Sequence, residues 1–418
     1  MTPALFSLVF VLALVVSIGT RVWLAVRQLR HVVLHRHEVP AHFAGKVSLA
    51  AHQKAADYTV ARVKLGFADL VLDTGVLLAL TFGGGIAAGY AMSRSLPFNA
   101  IWQDVALIIG VMIVTSILSL PLSWYRSFVI EERFGFNRMT IRLWLVDLIK
   151  GAAVGAVLGI PLLALVLFLM QRAGAYWWLY AWLAWVGFQV LMLALYPSFI
   201  APLFNTFKPL ADDGVKTRVE ALLERCHFTA KGLFVMDGSR RSSHGNAYFT
   251  GFGAAKRIVF FDTLLSRLHP DEIVAVLAHE VGHFKMRHVL KRLLWYGIGS
   301  LALLAALAWL MNQAWFFAGL GVPVQPGGQQ EGVALLLFFM VLPVFLFLLA
   351  PLGSLYSRRH EFEADAFAAK AASASALVAA LVKLYEDNAS TLTPDPVYSA
   401  FYDSHPPAAA RIARLEHA

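Results

Sequence analysis

Long apolar runs alternate with polar stretches along most of this chain. Seven runs stand out, at about 4–26, 67–92, 103–125, 144–170, 174–196, 289–311 and 333–356. Each has about 20 mostly apolar residues, enough for a helix to cross the hydrocarbon core of a bilayer. The pattern changes after the fifth run. Within 197–288, Leu233–Met236, Asn246–Thr250 and Arg257–Phe261 are short aromatic and β-branched runs, the second lying between Gly245 and Gly251. Such bounded runs predict strands. A helix is predicted to start near His269–Glu272, where Pro270 suits the first turn and Asp271 and Glu272 suit the positive end of the helix dipole. Ile273–Ala278 carries that helix forward, and 357–368 reads as another. The pattern therefore predicts a predominantly α, polytopic membrane protein with a small β-sheet in its largest extramembrane segment. Its parts are 1–197, with five membrane helices; 198–288; 289–356, with two more; and 357–418.

Composition agrees. Of 418 residues, 59% are hydrophobic and 15% charged, against roughly 45–50% and about 25% in soluble domains. This excludes a disordered chain, a fibrous rod and an ordinary soluble enzyme. The net charge of +9 fits loops facing the cytoplasm and anionic lipid, so no nucleic-acid partner is expected. Arg27, Arg30, Arg36, Lys46, Lys54, Arg62 and Lys64 lie between the first two runs, and Arg126, Arg133, Arg138 and Arg142 between the third and fourth. The opposite loops carry little: Arg94, Arg172, and no Lys or Arg in 312–332, which reads as a plain external connector. The bias places the N-terminus outside and 197–288 and 357–418 in the cytoplasm. The first run lacks a basic flank before it and a good cleavage site after it, and reads as a retained anchor. Pro121 and Pro161 are candidate kinks. Asp69, Asp73, Asp147 and Lys150 fall within predicted spans. They either pair with loop arginines near the interface or line a wet interior.

The chemistry concentrates at His279-Glu280-Val281-Gly282-His283, an H-E-x-x-H on a predicted helix. The two imidazoles lie one turn apart on one face and can share a metal ion. Glu280, about 100° around the helix, can take a proton from a water without ligating the metal. With a single cysteine, Cys226, and 14 histidines, any metal site must be built from imidazole and carboxylate. A catalytic zinc takes three protein ligands and keeps one position open. His288 falls about 180° from His279 on a continuous helix, and no glycine between His283 and His288 offers a break. Met286 and Val289 occupy the metzincin Gly and His positions, excluding that family. The better candidate is Glu361, with Asp365 one turn later to accept the outer N–H of a ligating imidazole, while Glu363 points away. On spacing alone these acids also read as a solvated helix face beside Arg358 and Arg359.

The quoted residues, taken in order, resemble the integral-membrane type I CAAX prenyl proteases. The resemblance runs through Val39-Pro40 and Lys54–Tyr58, Ile130–Asn137, Tyr196–Asn205, Asp237–Phe249, His279–His283, Ser357–Ala368, and Ser404–Pro407 with Arg411. It implies a ring of seven membrane helices enclosing a water-filled chamber, capped on the cytoplasmic side by a zinc-peptidase domain. It implies one Zn²⁺ per chain on His279, His283 and Glu361, Asp365 as the partner of a ligand, and removal of the last three residues of prenylated CAAX proteins. Asn246 and Ala247 match the family's substrate-binding strand, where an edge strand can take an extended peptide; an ordinary strand end is the bland alternative. His405 and Arg411 can serve a developing oxyanion, or simply belong to a terminal helix after Pro406-Pro407. The Ala-, Leu- and Arg-rich usage suggests a bacterial inner membrane. Two other functions compete: a broad-specificity protease for membrane-protein quality control, and a transporter or lipid-handling protein with a structural zinc. A protease with its motif inside a span does not fit, since Lys285, Arg287, Lys291 and Arg292 place this motif at the interface.

Overall fold

The computed structural model describes residues 1–250, 256–322 and 329–417. Gly251, expected to flank a strand, and part of the 312–332 connector lie outside the described residues. Among the described residues, six helices are long and apolar enough to cross a membrane, or seven when one bent pair counts as a single span.

The first helix, Pro3–Leu34, is capped by Thr2, whose hydroxyl accepts from the Leu5 amide. The second, Leu49–Leu80, is capped in the same way by Ser48. The run 67–92, expected as one continuous helix, is broken here. Helix resumes at Gly85–Arg94 after Thr81–Gly84, with a bend of 53°. Gly84 adopts φ +75°, in the left-handed region where glycine is favoured. A side chain at Gly83 would meet the Ala79 carbonyl at 2.5 Å. The helices Ala100–Tyr125 and Ile141–Arg172 continue past Pro121 and Pro161. Trp177–Leu195 follows. The 312–332 connector contains a short helix, Ala314–Ala318, whose Phe316 and Phe317 are buried. It is therefore packed structure against the first helix, where Phe6 meets Trp315 edge-on.

The extramembrane sheet has four strands. Gly232–Met236, Ala247–Thr250 and Arg257–Phe261 match the expected runs within a residue. A fourth, Phe207–Pro209, is too short to show in the pattern. Gly232–Met236 pairs parallel with Arg257–Phe261, which pairs antiparallel with Ala247–Thr250; Ala247–Thr250 is an edge strand. Ile258 and Phe260 bury one face of the sheet's centre against a core that includes Leu222, Ile273, Leu277 and Val281.

Two breaks tie this domain to the membrane. The motif helix Pro270–Lys285 ends at Met286, and a new helix, His288–Leu310, enters the membrane. The last span begins as Glu331–Leu346, passes a tight turn at Phe347–Leu349 and continues as Ala350–Ala371, which carries Glu361. We call these the motif helix and the carboxylate helix.

Candidate active site

The site begins with a close helix contact. In the motif helix, Glu272 accepts from the His269 amide at 2.7 Å and pairs with Lys383 at 2.8 Å, fixing the first turn. Ile273, Ala275, Leu277, Ala278 and Val281 are buried. Gly282 stands where the carboxylate helix crosses: a side chain there would lie 3.1 Å from the Ala364 Cα and 3.2 Å from the Phe367 Cβ. That small residue, facing buried Ala364 and Ala368, lets the helices approach closely enough for side chains on both to converge.

His279, His283 and Glu361 do converge, with one ligand atom of each within 4.8 Å of the others. His279 Nε2 is 3.2 Å from His283 Nε2 and 3.4 Å from Glu361 Oε2; His283 Nε2 is 3.4 Å from Glu361 Oε1. Glu361 Oε2 is buried and makes no hydrogen bond among the described residues. An unsatisfied buried carboxylate oxygen is costly, and a cation between it and the two imidazoles would satisfy it. The donor set of two imidazoles and a carboxylate suits zinc. Burial opposes the charged form of His279, but the hydrogen bond with Asp365 and the nearby Glu361 carboxylate outweigh it and raise the group to about 9. Burial, reinforced by the charge of His279, pushes His283 down to about 3. Burial raises Glu280.

Behind each imidazole stands a second group. His279 Nδ1 lies 2.8 Å from Asp365 Oδ1. Asp365 is gripped by Arg411, Nε to Oδ2 at 2.8 Å and Nη2 to Oδ1 at 2.6 Å. Burial would raise Asp365, but the bonds from Arg411 and His279 hold it down to about 2. Arg411 was expected at an oxyanion. Its short contacts go to Asp365, with Nη1 4.0 Å from Glu361 Oε2. His283 Nδ1 lies 2.9 Å from His288 Nδ1, and His288 Nε2 lies 2.9 Å from Glu363 Oε2. On an unbroken helix His288 would lie on the far side from His279. The break exists at Arg287, a non-glycine residue in the left-handed region at φ 56°. Glu363 faces His288 rather than away from the site.

Beside the three side chains lies a cavity of about 180 Å³ lined by Asn246, Ala247, His279, Glu280, Glu361, His405 and Arg411, among others. Ala247 opens the edge strand. Asn246 precedes it, and its carbonyl accepts from the Phe261 amide at 3.0 Å. Asn388, which no sequence signal marked, holds the approach to this strand: its Oδ1 accepts from the Gly245 amide at 3.2 Å and lies 3.0 Å from His244 Nδ1. His405 Nε2 is 3.4 Å from Glu361 Oε1. His405 also lines a second cavity of about 990 Å³, together with Arg21, Arg62, Asp69, Asp73 and Tyr398. Asp69 thus both lines the interior and pairs with Arg126 at 2.7 Å. Asp147 binds the Arg241 guanidinium at 2.8 and 2.9 Å, and Lys150 donates to the Leu203 carbonyl at 2.7 Å. Those two tie the fourth run to the extramembrane domain.

Comparison with known proteins agrees with this architecture along the whole chain. The family described as CAAX prenyl protease N-terminal, five membrane helices, matches residues 28–206, and Peptidase family M48 matches residues 209–418. The CAAX prenyl protease 1 homolog of Arabidopsis thaliana is 36% identical over 402 residues, covering 94% of this chain and 93% of the relative. CAAX prenyl protease 1 of Saccharomyces cerevisiae is 37% identical over 318 residues, covering 73% of this chain and 70% of its own. The crystal structure of S. mikatae Ste24p superposes with a TM-score of 0.91 at 30% identity, covering 98% of this chain and 99% of that one. The chain belongs to peptidase family M48, among the CAAX prenyl proteases, and is an integral, multi-pass membrane metalloprotease. Membership implies a metal. These relatives are eukaryotic and lend no support to the expected bacterial source.

Proposed function

We propose that this M48 protease holds one zinc ion on His279, His283 and Glu361 and removes the C-terminal tripeptide from prenylated proteins at the membrane. The carrying observation is the convergence of those three side chains, with an unsatisfied Glu361 oxygen, beside a cavity lined by Glu280 and the edge of a strand. Zinc bound there would supply Lewis-acid activation of a water and polarisation of the scissile carbonyl. Glu280 accepts the water's proton and returns it to the leaving amine. Its raised proton affinity matches it to both halves of that transfer. Asn246 and Ala247 present the free edge of their strand to an extended peptide. His405, near Glu361, donates to the developing oxyanion. Arg411 keeps Asp365 ionised and aimed at His279.

The Lys and Arg bias supports an N-terminus outside, with both the zinc-peptidase segment 198–288 and the tail 357–418 in the cytoplasm. A bacterial inner membrane rests on residue usage alone. One observation favours a second reading. The large cavity is lined by Arg21, Arg62, Asp69 and Asp73 as well as by Val63, Phe67 and Leu70, a mixed lining that suits polypeptide of varied sequence and hence a quality-control protease. A structural zinc gives no role to a carboxylate placed as Glu280 is. The test is cleavage of a farnesylated C-terminal peptide and its unmodified twin by the purified protein in detergent. Release of the last three residues from the farnesylated peptide alone supports the first reading. Equal cleavage of both moves the function to general proteolysis.

A further inference from the structure

The two ligating histidines are supported differently. His279 is backed directly by the Asp365 carboxylate, whereas His283 is backed by a neutral-sized group, the ring of His288. The hydrogen-bond pattern admits one consistent arrangement of protons. His283 Nε2 faces His279 and Glu361, so its lone pair belongs to the metal and its proton sits on Nδ1. That N–H must meet an acceptor, and the atom 2.9 Å away is His288 Nδ1. His288 then carries its own proton on Nε2, where Glu363 Oε2 accepts it at 2.9 Å. Glu363 is held in turn by Arg359 at 3.0 Å. The His288 ring is locked by stacking on His360, with centroids 4.0 Å apart and planes 13° apart, and both rings are buried.

We infer that His288 is a positioning residue for the metal centre, fixing the tautomer and ring orientation of His283 through the relay His283–His288–Glu363. The inference rests on zinc binding at His279, His283 and Glu361. His288, His360 and Glu363 also lie close enough to suggest a second metal site. Their geometry argues against it. Imidazole lone pairs lie in the ring plane, so two nearly parallel, stacked rings direct them side by side rather than at one point.

The test is zinc affinity of the full-length apo-protein in detergent, by chelator competition, with zinc per chain counted in the same samples. His288→Phe keeps the stack on His360 but removes the acceptor. It should raise the zinc Kd about 10–100-fold, the usual cost of removing such a partner, and lower kcat at saturating zinc while leaving KM unchanged. His288→Asn, whose amide oxygen falls near the place of Nδ1, should recover most of both. Glu363→Ala, at the solvent end of the relay, should weaken zinc by less than about tenfold; it decides the matter if His288→Phe does not fold. Wild-type affinity in a folded His288→Phe, or in Glu363→Ala where the former does not fold, would overturn the relay. So would a second zinc per chain that disappears in His360→Phe. Wild-type protein that binds no zinc, or keeps its zinc in His279→Ala, would instead refute the three-ligand reading itself.

Discussion

The two flanks of the metal centre use the same device, a carboxylate behind an imidazole, in different surroundings. On the inner flank, Asp365 and Arg411 have side chains only 4% and 7% exposed, and touch His279 directly. On the outer flank, Glu363 is 29% exposed, its partner Arg359 is 79% exposed, and His288 stands between them and His283. A buried pair left without one partner costs about 3–5 kcal/mol. An exposed pair contributes about 0–1 kcal/mol. The inner flank should therefore hold both the fold and the metal, while the outer flank should chiefly orient a ring. The proton affinities diverge in the same way: without metal, the inner imidazole sits at about 9 and the outer at about 3.

The largest effect should come from removing what both flanks share. Glu361→Ala takes away the carboxylate between the imidazoles, and zinc content after dialysis should fall to near zero. Full occupancy would break the comparison, because the two flanks would no longer meet at one ion. Next comes Asp365→Ala. It leaves Arg411 buried without its partner and should lower stability by about 3–5 kcal/mol, read as a lower unfolding temperature of the zinc-free protein. Glu363→Ala should change the same reading by no more than about 1 kcal/mol. Equal losses would mean that burial does not separate the flanks. Gly282→Ala probes the contact that brings the helices together. The added methyl must displace Ala364 or Phe367, and overpacking of this kind costs about 1–3 kcal/mol.

The smallest effect is also the sharpest. Below about 9, a zinc-free His279 holds a proton that zinc must displace, whereas His283 is already neutral at working pH. Zinc binding near pH 7 should therefore release about one proton, and apparent affinity should rise about tenfold per pH unit toward 9. In Asp365→Asn, the carboxylate that raises His279 is gone, so the release and the slope should shrink. Calorimetry in buffers of different ionisation heat measures this. Release of two protons would place a charged imidazole on each flank.

The sequence made the inner flank legible and the outer one not. His279, Glu280, His283, Glu361 and Asp365 sit on two long regular helices, where 3.6-residue spacing shows which side chains share a face. His288 stands outside the converging triad, but its place behind His283 stays hidden in the sequence because an unbroken helix would carry it to the far side. Arg287 instead turns the chain in a conformation that local sequence gives no reason to expect without a glycine. The same limit explains the second span. Its hydropathy runs on smoothly through Gly83, Gly84 and Gly85, yet the backbone bends there. The three longer strands followed from their aromatic and β-branched runs, while Phe207–Pro209 is too short to carry a period. Arg411 was visible as a charge in the tail. That its guanidinium grips Asp365 depends on a contact 46 residues away, which no local pattern encodes.

The proposed division of labour gives Glu280 the proton chemistry and His279, His283 and Glu361 the metal. Peptide cleavage and zinc content measured on the same preparations of wild type and Glu280→Gln test it most directly. One zinc per chain is expected in both, and cleavage only in wild type. A Glu280→Gln protein that still cuts with its zinc in place would contradict it.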